Sequence, residues 1–150
     1  MPLSLGDFAD QLNMIMPVLL KEFVRRNTNE LFKGKVTLPQ LLVLQFLHEN
    51  PDARMTDAAQ FMKVSTAALT GLADRLVKSG YIARSFDSGD RRIIRVNLTP
   101  KGRELVRKIK EQRRQMVIDV FGKISEQERE DYLRILNRIR DVLTRERQEG

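Results

Sequence analysis

Asp87-Ser88-Gly89-Asp90-Arg91-Arg92-Ile93-Ile94-Arg95-Val96-Asn97-Leu98-Thr99-Pro100-Lys101-Gly102 packs a turn, a strand and a helix start into one stretch. Asp87 to Asp90 is a polar turn. From Arg92 to Leu98, inward Ile94, Val96 and Leu98 alternate with Ile93, Arg95 and Asn97, the period of two that a half-buried strand requires. Thr99 followed by Pro100 is a helix cap with proline at the first helical position, where its missing N–H costs nothing. Tyr81–Phe86 supplies the partner strand, so a hairpin closes around the turn.

Upstream of the hairpin, Ser65 caps a helix running to about Ser79, and Gly80 fits the left-handed position beyond its end. Leu69, Leu72, Ala73 and Leu76 share one face. The opposite face carries Thr66, Ala67, Thr70, Asp74 and Lys78, with Arg75 at its margin. A tight Lys63–Val64 connection precedes it, then a short helix read as capped by Thr56. Before that, Thr37 with Gln40 and Pro39 signals a capping box. The helix it starts is apolar nearly all round and should lie centrally, ending at Asn50–Pro51.

The ends are amphipathic. Residues 7–33 read as helix with Phe8, Leu12, Ile15, Leu19, Phe23 and Leu31 among the apolar positions, and Pro17 either kinks it or divides it. Gly34–Lys35 breaks the pattern. A helix from Pro100 to about Phe121 stops at Gly122. Ser125 with Glu128 caps a last one, which sets Tyr132, Ile135, Leu136, Ile139, Val142 and Leu143 on one stripe. The fold class is mostly α with a small β-hairpin, a single chain over 1–150. A winged helix-turn-helix spans 37–99, and the helices at 5–33 and 100–147 carry more apolar surface than one small domain can cover. A homodimer accounts for that surplus.

The formal net charge is +7, and it is uneven: residues 54–110 hold 13 Lys/Arg against 5 Asp/Glu, while the segments on either side are close to neutral. A basic middle between amphipathic ends suits a module for a polyanion such as double-stranded DNA. Small residues at the start of the second helix would let its backbone approach a major groove, and arginines at the hairpin tip would reach a minor groove. The chain has no cysteine and one histidine, His48, so disulfides and thiolate metal sites are excluded. No cofactor, metal or catalytic residue is expected, because phosphate loop, nucleophile–histidine pairing and paired acids are all missing. No uncharged stretch approaches the roughly 20 residues of a membrane helix. The chain reads as cytoplasmic, with no membrane partner.

The stretch Asp87–Gly102, with Asp-x-Arg, alternating apolar residues and Leu-Thr-x-x-Gly, resembles the wing signature of the MarR (multiple antibiotic resistance regulator) family. Ser65–Ile82 is similar to that family's recognition helix and exit. The resemblance implies a dimeric transcription regulator, often a repressor, on a near-palindromic operator. Carried onto this sequence, it implies that Arg92 enters the minor groove, oriented by Asp90, with Arg91 as a second contact. Ser65, Thr66, Ala67 and Thr70 would face bases, and Arg75 a phosphate. It also implies a small aromatic or phenolic effector; oxidant sensing through cysteine is not open to this chain.

Plainer readings stand beside these. Ser65 and Thr66 serve as a cap alone or as cap and contact together. Arg75 could pair with Asp74 or Asp90 instead of phosphate. Arg84 and Arg95 read as solvated, His48 as a cation at a helix C-terminus, and Met14 and Met16 as packing residues. The competing functions are a non-specific DNA-binding protein and a winged-helix module for an acidic protein partner.

Overall fold

The computed structural model describes residues 1–31 and 35–150. The expected break at Gly34, and the end of the first helical stretch at residues 32 and 33, lie outside the described residues. The chain divides into two compact units, 1–112 and 113–150.

In the first unit, α1 (Leu5–Leu31) runs unbroken through Pro17, so Pro17 does not divide it. Ser4 caps it by accepting the Asp7 N–H at 3.1 Å. Along residues 5–26 of α1 only Phe23 is even half-buried. Helix α2 (Leu38–Glu49) begins with the expected box: the Thr37 N–H donates to Gln40 Oε1 at 2.9 Å, and the Gln40 N–H returns to Thr37 Oγ1 at 3.3 Å. Leu41 and Leu44 on α2 have no exposed surface, which places α2 at the centre of the core. Each such leucine contributes about 2 kcal/mol of burial.

Helix α3 (Met55–Met62) starts earlier than the sequence suggests. Its cap is Arg54, not Thr56, because the Asp57 carboxylate accepts the Arg54 N–H at 3.2 Å. Lys63 then takes a left-handed conformation, φ 54°, and turns the chain into α4 (Thr66–Lys78). Helix α4 buries Leu69, Ala73 and Leu76. Gly80, at φ 81°, ends the turn beyond it.

The sheet has three antiparallel strands in the order β1-β3-β2. Strand β1 is only Ala53–Arg54, and the sequence gives no local sign of it. Strands β2 (Ile82–Phe86) and β3 (Ile94–Leu98) form the hairpin, with Ile82 opposite Leu98 and Phe86 opposite Ile94. Strand β3 is two residues shorter than expected. The Ile93 N–H turns back to the Asp90 carbonyl at 3.0 Å, so Arg92 and Ile93 belong to the loop. Val96 and Leu98 point inward as expected, but Ile94 lies too far toward the tip and is 37% exposed.

Helix α5 (Pro100–Phe121) buries Gly102, Leu105, Val106 and Ile109 in the first unit. Its first turn is seated on the exit of α4. Thr99 Oγ1 donates to the Gly80 carbonyl, the Thr99 N–H to the Tyr81 carbonyl at 3.0 Å, and Lys101 Nζ to the Ser79 carbonyl at 2.8 Å.

In the second unit, Ser125 and Glu128 form the expected capping box at the start of α6 (Glu126–Glu149). Phe121 stacks on Tyr132 at 5.5 Å between ring centroids. The expected stripe is present and uncovered: Tyr132, Ile135, Leu136, Ile139, Val142 and Leu143 are all exposed.

Candidate nucleic-acid interface

The outward face of α4 is built by its cap. Ser65 Oγ accepts the Ala68 N–H at 3.1 Å, which frees the first turn to project from the domain. Thr66 and Ala67 are exposed there, and the Thr66 hydroxyl has no partner among the described residues. Thr70 is half-buried and donates to the Thr66 carbonyl at 2.8 Å, so its hydroxyl can only accept from a ligand. Arg75 is exposed and forms no ion pair among the described residues. Asp74 is taken by Arg84 at 2.7 Å instead.

At the wing tip, Asp87 organises the loop. Its Oδ2 accepts the Gly89 and Asp90 N–H groups at 2.9 and 3.1 Å, and its Oδ1 accepts Arg95 Nε at 2.9 Å. Asp90 in turn holds Arg92: Oδ1 accepts the Arg92 N–H at 3.0 Å and Nε at 3.1 Å, and Oδ2 accepts Nη2 at 3.0 Å. The Arg92 side chain is nonetheless 90% exposed, a guanidinium fixed in direction and fully presented. Arg91 is exposed beside it, without a partner among the described residues.

Arg84 and Arg95 are not simply solvated. Arg84 joins β2 to α4 through Asp74. Arg95 joins Asp87 to the Asp52 carbonyl, its Nη1 donating at 3.0 Å. Asn97 completes this clasp: Asn97 Oδ1 accepts the Asp52 N–H at 2.8 Å, and Nδ2 donates to Asp52 Oδ1 at 2.6 Å. The contacts to Asp52 join residues more than 40 positions apart, which is why sequence spacing does not show them.

Protons compete poorly for the wing carboxylates. The Gly89 N–H and Arg95 hold Asp87 below the ordinary carboxylate range, and Arg92 does the same for Asp90. A depressed folded-state value means that the stabilisation is complete above the unfolded value near pH 4. It is lost as the pH falls through the lower folded values. In an NMR titration, the Gly89 amide is expected to follow Asp87 and the Arg92 amide Asp90, each with a midpoint below pH 4. Midpoints at or above that value would refute the contacts.

Between wing and helices lies a cleft of about 280 Å³, walled by Arg54, Met55 and Thr56, by Thr66, and by Arg92–Ile94. It brings the predicted Thr66 and Arg92 together. Arg54 also lines it, and sequence reading passes it over because arginine is not a cap residue by type, whereas Thr56 is. Of the 13 Lys/Arg in residues 54–110, five (Lys101, Arg103, Arg107, Lys108, Lys110) sit on α5 rather than on α4 or the wing. Among the described residues there is no cluster of His, Asp or Glu that could hold a metal, and no helix long and apolar enough to cross a membrane.

The MarR family model matches residues 36–94. The chain is similar to the HTH-type transcriptional repressor MdtR of Bacillus subtilis, 34% identical over 98 residues, covering 63% of each protein. It spans under two-thirds of the length of this and other curated relatives. Among solved structures, a MarR family protein from Bacillus stearothermophilus aligns with TM-score 0.82 at 23% identity, covering 94% of this chain and 99% of that one. Streptococcus pneumoniae FabT in complex with DNA aligns with TM-score 0.74 at 21% identity, covering 92% and 98%. With its helix-turn-helix, its three-stranded sheet and the Asp90–Arg92 pair in place, the segment 36–94 matches the MarR family.

Proposed function

We propose that the chain is a DNA-binding transcription regulator that works as a homodimer and represses from a near-palindromic operator. The observation that carries this reading is the Arg92 guanidinium, oriented by Asp90 and 90% exposed, on the same domain as the open Thr66–Ala67 face of α4. One element suits a minor groove and the other the adjoining major groove. The relatives support the reading: MdtR is named a repressor, and FabT is solved with DNA. The uncovered apolar stripes of α1 and α6 supply a surface for a second copy, and two-fold symmetry sets two recognition helices about one DNA turn, roughly 34 Å, apart.

A duplex selected from a random pool should contain an inverted repeat. Arg92→Ala is expected to weaken binding to it by about 1–3 kcal/mol in a mobility-shift assay; unchanged affinity would sink the wing assignment. Selection of no sequence at all would favour a non-specific DNA-binding protein. A small aromatic or phenolic effector releases DNA only by binding the free and DNA-bound forms unequally, so the selected complex is the one to titrate with phenolic compounds. A cytoplasmic location goes with the DNA partner.

A further inference from the structure

We propose that Arg54 is a further DNA contact, and that the cleft between the start of α3 and the tip loop of the wing seats one sugar–phosphate strand. Arg54 would clamp that strand from one wall and Arg92 from the other. The inference rests on the duplex-binding reading above and adds to it a residue outside both the recognition helix and the wing.

The two arginines are built alike. Arg54 places Nε on Asp57 Oδ2 at 3.1 Å and Nη2 on Oδ1 at 3.0 Å. Arg92 places the same two nitrogens on Asp90 at 3.1 and 3.0 Å. Each guanidinium is thus gripped along one edge, and each leaves Nη1 without a partner among the described residues. Both line the same cleft, as does Thr66. A planar guanidinium with its orientation fixed loses less freedom on meeting a phosphate than a free one does.

Position decides what occupies the cleft. If α4 reads a major groove and the wing the adjacent minor groove, the strand that separates those grooves must pass between them. The cleft lies there. Its polar groups are guanidinium tips and threonine hydroxyls, and its apolar wall of Met55, Ile93 and Ile94 suits the face of a deoxyribose. Base readout needs a specific set of donors and acceptors. This lining offers mainly cationic donors, so the contact should position the duplex without selecting its sequence.

The test is a salt series of binding isotherms on the selected duplex and on an unrelated duplex of the same length. One phosphate contact contributes about 0.9 to the slope of log affinity against log salt, or about eightfold at 0.1 M. Arg54→Ala should lose that amount on both duplexes equally, and Arg54→Lys should retain most of the slope. Arg107→Ala is the control. Arg107 makes a similar pair with Glu104 at 2.7 Å, three residues apart, but on α5; its loss should leave the slope alone. Melting curves separate folding from contact: a melting point lowered equally in Arg54→Ala and Arg54→Lys, with slope lost only in the former, supports contact. An unchanged slope in Arg54→Ala, or an equal loss in Arg107→Ala, overturns the proposal while Arg92→Ala still tests the wing. A wild-type protein that ignores every duplex would instead overturn the functional reading itself.

Discussion

Gly102→Ala should destabilise the protein by about 3 kcal/mol or more, a large part of the 5–15 kcal/mol that holds a typical domain together. A Cβ at residue 102 would stand 2.0 Å from the Tyr81 carbonyl oxygen and 2.9 Å from its carbon. Neither side has room to withdraw. The Tyr81 carbonyl accepts the Thr99 N–H at 3.0 Å, its ring lies under the Lys101 ammonium at 4.8 Å, and Ile82 next to it is paired with Leu98. Helix propensity alone gives the opposite sign, since alanine is favoured over glycine inside a helix by about 1 kcal/mol. Gly71→Ala is the matched comparison: it lies inside α4, and nothing within 4 Å would meet its Cβ. Chemical denaturation should show Gly71→Ala at or above wild-type stability and Gly102→Ala far below it. Equal effects would mean that the contact with Tyr81 is not as described.

Ile139→Glu should give a monomer that binds the selected duplex about 10²–10⁴ times more weakly, because linking two binding modules raises affinity by that order. Ile139 sits mid-stripe on α6 and is 49% exposed in the single chain. It is not one of the buried core residues, so helix content and melting of residues 1–112 should survive. A carboxylate buried in an apolar interface without a partner is strongly unfavourable. Sedimentation velocity reads the association state and fluorescence anisotropy the affinity. A wild-type protein that is monomeric at tens of micromolar would refute the dimer, as would an Ile139→Glu variant that still sediments as one.

The parts of the fold that were legible in the sequence are those fixed locally. Thr37 with Gln40, Ser65, and Ser125 with Glu128 each declare a helix start within four residues, and all three caps are made. The hairpin's period of two and the Thr99–Pro100 step are local in the same sense. Strand β1 is not. Two residues cannot show a period, and Ala53–Arg54 is a strand only because Val96 and Arg95 pair with it. The misplaced α3 cap has a different cause: the contact is local, but Thr56 is a good cap residue by type and arginine is not, and Asp57 reaches back three residues to Arg54. At the candidate site, residue types pointed to Thr66, Arg91 and Arg92, which are exposed. They could not show that Arg84 and Arg95 are committed to Asp74 and Asp87. The first pairing depends on how the hairpin lies against α4, and the second on how the wing loop folds back on β3.

The clasp of Asp52, Asn97 and Arg95, together with the Arg84–Asp74 bridge, also bears on which partner must yield when a duplex is bound. Each exposed ion pair is worth little alone, but together they tie the hairpin both to the start of β1 and to α4. A reader braced at both edges leaves the adjustment to the duplex. Where the spacing of the two grooves does not match that of α4 and the wing, the base steps between them have to bend or twist, at an energy set by their own stiffness. Selectivity would then extend to base pairs that no side chain touches.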